Sequence, residues 1–231
     1  MILNADNSDF IRYKSEIECG NIMVGNELYR ELVNLHEDLK CNDEYIYDTK
    51  DYLLRKEFIE GCLRLTKSPF YNQPIKMIIW QKAFLEVLYS FKMAKPFKDE
   101  NKNIDRFRKA LLLIGRKNGK SEFCSCIMNS EFIVGKEGSD LVCSSNDDSQ
   151  SSIVYDSIDT MRELYDPKDL DTKKCQRFIL NKMANAKIFK LSTTTRNKEG
   201  RVNRPFENLK SWIKGGIFVI LILQQSMKYM K

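Results

Sequence analysis

Ile114-Gly115-Arg116-Lys117-Asn118-Gly119-Lys120-Ser121 stands between two segments of opposite character. Before it runs Ala110-Leu111-Leu112-Leu113-Ile114, apolar at every position, which predicts a strand buried on both faces. After it comes Glu122-Phe123-Cys124-Ser125-Cys126-Ile127-Met128, where Phe123, Ile127 and Met128 fall at helical spacing. Strand, glycine-containing loop, Lys-Ser and helix make the layout of a nucleoside-triphosphate site. Such a loop turns successive backbone N–H groups inward, and the helix N-terminus adds partial positive charge. Lys120 is then placed to reach the β- and γ-phosphates, and the Ser121 hydroxyl to ligate Mg²⁺. The general pattern G-x-x-x-x-G-K-[ST] would put its first glycine at position 114, and here it falls one residue later, at Gly115. The alternative is a basic surface turn, since Asn and Gly tolerate positive φ. A turn alone does not require Gly-Lys-Ser to open a helix after an apolar strand.

The chain has 231 residues, enough for one large domain or for one medium domain with an incomplete second. It is 42% hydrophobic and 30% charged without a low-complexity tract, the composition of a soluble globular protein. The net charge of +6 is compatible with a nucleic-acid partner but is spread along the chain. No stretch of 18 apolar residues exists, so no membrane span is expected, and Met-Ile-Leu-Asn-Ala-Asp is not a secretory signal. Seven cysteines, with no pair at C-x-x-C spacing, argue against a disulfide framework or a zinc site. Cys124, Cys126 and Cys143 fall in predicted core elements and read as small buried hydrophobes in a reducing cytoplasm.

The first hundred residues read as helical. Leu28, Leu32, Leu35 and Leu39 make one apolar stripe, and Leu54, Phe58 and Cys62 a second. A loop, Lys67-Ser68-Pro69-Phe70-Tyr71-Asn72-Gln73-Pro74, leads to a third amphipathic segment with Trp80, Phe84, Leu88 and Phe91 on one face. The polar stretch 96–105 is a solvated connector. Beyond it strands and helices alternate. Leu141-Val142-Cys143 is a short strand, Ile153, Ser157, Met161 and Leu164 mark a helix, and Ala186-Lys187-Ile188-Phe189-Lys190-Leu191 alternates with period two. The expected fold is α/β, a P-loop core with a mostly parallel sheet preceded by a helical region, its ligand at the carboxyl ends of the strands.

Four segments together resemble the large terminase subunit of tailed bacteriophages, the ATP-driven DNA-packaging motor. They are Trp80-Gln81-Lys82, the loop from Gly115 to Ser121, Ser144-Ser145-Asn146 with Gln150, and Thr195-Arg196-Asn197-Lys198-Glu199-Gly200. The displaced glycine and the basic residue inside the loop are a form this family uses. The resemblance implies that Gly115, Arg116, Lys117, Asn118, Gly119, Lys120 and Ser121 hold ATP and Mg²⁺, with Ser121 as the metal ligand. Gln81 is similar to the adenine-reading glutamine that precedes the loop strand, its amide matching the adenine edge. Without that role it is a solvated helix-surface residue beside Trp80. Arg116 is implied near the γ-phosphate, where charge develops in transfer. Arg196 and Arg201 lie in the region from which the family can supply an arginine finger, and at least one of them reads as an exposed loop arginine.

A P-loop enzyme also needs an acidic residue at the end of an adjacent strand to hold Mg²⁺, and usually a second carboxylate to orient water. In the family this is an apolar strand ending Asp-Glu soon after the position of Gly200. It is absent in frame, and the chain closes Ile217-Phe218-Val219-Ile220-Leu221-Ile222-Leu223-Gln224-Gln225-Ser226-Met227-Lys228-Tyr229-Met230-Lys231. Met-Lys-Tyr-Met-Lys is encoded ATG-AAR-TAY-ATG-AAR, and reading from each third base yields Glu-(Ile/Val)-(His/Tyr)-Glu. A Ser226 codon TCG puts Asp in front, which restores an apolar strand ending Ile-Asp-Glu-Ile-His-Glu. The expectation is a frameshifted, truncated terminase product, against the alternative of a genuine apolar C-terminal strand over 217–223.

The expected layout is a helical region over 1–75, an incomplete ATPase domain over 76–214 and an out-of-frame tail over 215–231, without the family's C-terminal nuclease domain. The family activity is ATP hydrolysis coupled to packaging of double-stranded DNA into the procapsid. It acts in the bacterial host cytoplasm as a homo-oligomeric ring, with the portal protein and a small terminase subunit as partners. This chain is expected to keep the nucleotide cradle and lose most turnover. The alternatives are a P-loop helicase or DNA-remodelling ATPase, and a non-catalytic prophage relic that binds nucleotide.

Overall fold

The chain turns helical at Ser8, whose hydroxyl accepts from the Ile11 N–H and caps α1 (Asp9–Glu18). The structure is a computed structural model that describes residues 7–40, 44–94, 104–107, 109–112, 114–115, 117–145, 148–176, 178–192 and 219–221. It divides into two compact units, one formed by 1–60 with 76–108, the other by 61–75 with 109–231.

The first unit contains α1, α2 (Asn26–Asp38), β1 (Tyr45–Tyr47), most of α3 (Lys50–Cys62), α4 (Ile79–Ser90) and β2 (Phe91–Met93). Its core gathers Phe10 and Tyr13 from α1, Leu32 and Leu35 from α2, Ala83 from α4 and Phe91 from β2. β1 and β2 pair antiparallel, and the Phe91 ring meets Tyr47 edge-on at 5.0 Å. The Arg106 guanidinium lies 3.9 Å from the Tyr45 ring centroid and pairs with Asp38 at 2.6 Å. Glu86 of α4 has no exposed surface, yet its carboxylate accepts from the Ser8 hydroxyl, the Phe10 N–H and the Tyr47 hydroxyl at 2.8, 2.7 and 2.6 Å. Burial raises its pKa further than these donors lower it.

Two of the three expected stripes pack as read, in part. Leu32 and Leu35 are buried while Leu28 is exposed, and Leu88 and Phe91 are buried with Trp80 and Phe84 half-covered. The stripe Leu54, Phe58, Cys62 is corrected: Leu54 and Cys62 are exposed, and α3 buries Tyr52, Arg55 and Ile59 instead. Arg55 occupies the covered face because its guanidinium stacks 4.2 Å from the Tyr89 centroid and also donates to the Asp51 carbonyl.

The second unit contains β3 (Lys109–Leu111), α5 (Lys120–Val134), β4 (Asp140–Ser145), α6 (Asp148–Tyr165), β5 (Thr172–Lys174), β6 (Phe178–Asn181), β7 (Lys187–Ser192) and β8 (Val219–Leu221). α5 stops at Gly135, where a Cβ would come within 2.2 Å of the Glu131 carbonyl oxygen. Met128, Phe132, Leu141, Cys143, Ile158, Ile179 and Ile188 form its core, and α5 packs on α6.

The α/β class holds, but the sheet is mixed rather than mostly parallel. In the order β4-β7-β6-β5, β4 and β7 run parallel while β7-β6 and β6-β5 are antiparallel. The cause is chain length: only a few residues join β5 to β6 and β6 to β7, enough for a hairpin and too few for a crossover. β3 pairs parallel with β8, so part of the apolar run 217–223 enters a sheet.

Residues 61–75 form a hairpin closed by Leu65 N–H to Gln73 O at 2.9 Å and Asn72 N–H to Leu65 O at 2.8 Å. At the far end of α6, Asp166 collects the N–H groups of Leu170, Asp171 and Thr172 and the Thr172 hydroxyl at 2.7–3.1 Å. Burial pushes its carboxyl up, but the four donors prevail and hold it below the ordinary 3.8. A group held below its unfolded value contributes stability above that value and loses it as pH falls. The Asp166→Ala variant is therefore expected to lose about 2 kcal/mol at neutral pH. Its urea midpoint should also fall less steeply than the wild type's as the solution is acidified below the carboxylate range.

Candidate functional site

The turn from β3 into α5 has the backbone that an anion cradle requires. Lys117 has φ 67° and Gly119 φ 70°, both left-handed, with Asn118 between them. Alternation of this kind points successive N–H groups into one concavity. Gly119 serves as N-cap of α5 with no side-chain hydrogen bond to the helix, and its carbonyl accepts the Phe123 N–H at 2.9 Å. The N–H groups of the first turn before Phe123 therefore have no intrahelical partner, and together with the helix dipole they favour an oxyanion. The Asn118 side-chain amide donates to the Gly115 carbonyl at 3.3 Å, closing the loop across its neck. A Cβ on Gly115 would meet that amide nitrogen at 3.2 Å.

Lys120 is half-buried at the start of α5 and, among the described residues, has no ion-pair partner. The loop residues fit a nucleoside triphosphate on these observations: two left-handed positions, an uncapped helix start, an uncommitted lysine and a small residue at the neck. Ser121 comes next, at the position where a hydroxyl would meet Mg²⁺. Its carbonyl accepts from the Ser125 hydroxyl at 2.9 Å, an interaction of the helix interior that does not engage the Ser121 hydroxyl. Burial pushes the Cys124 thiol up to about 12 against the opposing pull of Lys120, and Cys143 likewise up to about 12. Both are inert core thiols, as expected from their place in the sequence.

Other predicted site residues are placed unevenly. Gln81 lies in α4 of the first unit, and its side-chain oxygen accepts the Ile78 N–H at 3.0 Å. Its neighbour Lys82 pairs with Glu60 at 3.1 Å. Arg116, Arg196 and Arg201 lie outside the described residues, as does Asn146. Ser144 and Ser145 end β4, and Gln150 is in the first turn of α6. β8 runs parallel to β3 with Leu221 opposite Leu111, so its carboxyl end lies at the loop end of β3. Among the described residues no cluster of His, Cys, Asp or Glu is arranged to hold a metal ion.

Sequence reading missed the surroundings of Glu122. This residue stands three positions after the N-cap, where it would reach back to a Ser or Thr cap, but the cap is Gly119. Its carboxylate instead accepts from the Thr66 N–H at 2.9 Å, the Thr66 hydroxyl at 3.0 Å and the Ser157 hydroxyl at 3.3 Å. A glutamate in the first turn without a capping partner is the only local hint, and it names no distant residue.

No protein-family model matches the sequence, and no curated protein matches it. Among solved structures it is similar to the crystal structure of the HK97 bacteriophage large terminase, with a TM-score of 0.51 and 18% sequence identity. The match covers 64% of this chain and 28% of the terminase, so the chain spans under a third of that protein's length. The fold of this chain, over the matched part, is like that of a phage large terminase.

Proposed function

We propose that this chain is the nucleotide-binding part of a terminase-type DNA-packaging ATPase. The reading is carried by one observation: an uncommitted Lys120 at the uncapped start of α5, directly after two left-handed loop residues. The terminase-like fold supports the same reading from a separate direction. Lys120 would neutralise the β- and γ-phosphates, the N–H groups around Gly119 would hold phosphate oxygens, and Ser121 would ligate Mg²⁺. Bound Mg²⁺ would supply charge neutralisation across the phosphates. Arg116 is proposed beside the γ-phosphate and Gln81 as the adenine reader, both on the sequence resemblance. Arg196 and Arg201 are proposed as finger candidates on the same ground. Double-stranded DNA, a portal, a small terminase subunit and a homo-oligomeric ring are the proposed partners and assembly.

Binding and turnover separate in this proposal. Ile222, Leu223, Gln224, Gln225 and Ser226 directly follow β8 in the sequence, and none of them is a carboxylate. A P-loop strand in that place would end in a carboxylate, and with glutamine and serine there instead hydrolysis is proposed to be slow.

Titration with a fluorescent ATP analogue and Mg²⁺ is expected to saturate for the wild type and to weaken at least about tenfold in Lys120→Ala, a loss of roughly 1.4 kcal/mol. Phosphate release should be near background in both. Saturable binding that ignores Lys120 would sink the proposal, and rapid Lys120-dependent turnover would require a carboxylate from elsewhere in the chain. The Gly119→Ala variant tests the cradle's backbone. A Cβ there meets nothing within 4 Å, so only the left-handed φ opposes it. A melting experiment should show about 1 kcal/mol of destabilisation, with weaker nucleotide binding.

A further inference from the structure

We infer that Glu122 is a positioning residue of the nucleotide site, fastening the first turn of α5 to the hairpin 61–75 and to α6. The inference rests on the nucleotide-binding reading above and adds residues that no phosphate would touch. Glu122 lies two residues after Lys120 and one after Ser121, on the same helical turn. Its carboxylate receives three donors from two distant segments: the Thr66 N–H and hydroxyl from the hairpin, and the Ser157 hydroxyl from the middle of α6. Thr66 and Ser157 also meet each other at 3.2 Å, closing a triangle of hydroxyl, hydroxyl and carboxylate. Ser157 is buried, and Thr66 and Glu122 are half-covered, so water competes weakly for these groups.

Geometry explains why the contact bears on ligand binding. A helix start held only by its own backbone frays. At α5 the N-cap is a glycine without a side-chain bond, so local capping does not hold the first turn. Glu122 supplies that restraint from outside the helix, through Thr66 and Ser157 rather than through the N–H groups of its own first turn. A Ser or Asp cap at position 119 would rigidify the turn too, but its oxygen would occupy the N–H groups that the anion needs. The segment 61–75, remote in sequence, becomes part of the site by orienting it.

The test uses the full chain and three substitutions. Glu122→Ala removes every acceptor and should weaken binding of the fluorescent ATP analogue about tenfold, comparable with loss of outer-shell partners elsewhere. Glu122→Gln keeps one side-chain oxygen for Thr66 and should bind within about threefold of wild type. Asp166→Ala, which destabilises the same unit away from the loop, should lower the melting temperature and leave affinity unchanged. Hydrogen exchange without nucleotide should speed up at the Thr66 amide and in the first turn of α5 in Glu122→Ala but not in Glu122→Gln. Equal affinity for Glu122→Ala and wild type, or equal weakening by Asp166→Ala, would overturn the inference. If the wild type binds no ATP, the proposed function fails; unaltered exchange at Thr66 in Glu122→Ala would then overturn the fastening independently.

Discussion

The left-handed backbone at Lys117 and Gly119 is the constraint on which the second unit's site depends. A lysine in that region is held against its own steric preference, and such strain persists only where surrounding structure over-determines it. Here the determinants are β3 on one side, α5 on the other, and Asn118 tied to Gly115 across the neck. The outcome is a helix whose first N–H groups have no intrahelical partner and no side-chain cap from Gly119. In a purely structural turn those groups would be capped, since an uncapped start sacrifices roughly 1 kcal/mol. Leaving them open makes physical sense where an anion completes them.

Carboxylates act in both units as collectors of polar donors, two of them joining segments far apart in sequence and one organising a local turn. Glu86 draws Ser8, Phe10 and Tyr47 together in the first unit. In the second, Asp166 organises the turn that enters β5, and Glu122 joins the hairpin to α6. Each acceptor satisfies polar groups that would otherwise be shut away from water, so removing any one leaves donors stranded. Glu86 differs in one respect. Its burial outweighs its donors and raises its pKa, whereas at Asp166 the Thr172 hydroxyl together with three backbone N–H groups reverses the balance.

The pairing of β8 with β3 bears on the chain's puzzling last segment. The apolar run there could be read as a genuine strand or as the lead-in to a motif hidden in another frame. The parallel register delivers its carboxyl end to the loop end of β3. In P-loop proteins the metal-holding carboxylate comes from the end of such a strand. The strand that pairs with β3 is made of the in-frame residues Val219–Leu221, whereas an out-of-frame reading over 215–231 would replace these residues as well as Gln224, Gln225 and Ser226 beyond them.

The local features of the cradle were legible in the sequence because they depend on short-range chemistry. Gly115, Gly119, Lys120 and Ser121 stand within one turn of chain between an apolar run and a helical pattern, so their spacing alone placed them at a strand-to-helix turn. The α/β class and the inert Cys124 and Cys143 were legible for the same reason. The buried face of α3 was not, because Arg55 is polar by composition and becomes a core residue only when Tyr89 offers a ring to stack on. The sheet's mixed character turned on how few residues join β5, β6 and β7, a matter of boundaries that periodicity leaves blurred. Glu122 with Thr66 and Ser157 lay beyond sequence reading altogether. The carboxylate is separated from these two by 56 and 35 positions along the chain, and only folding decides which hydroxyls it will find.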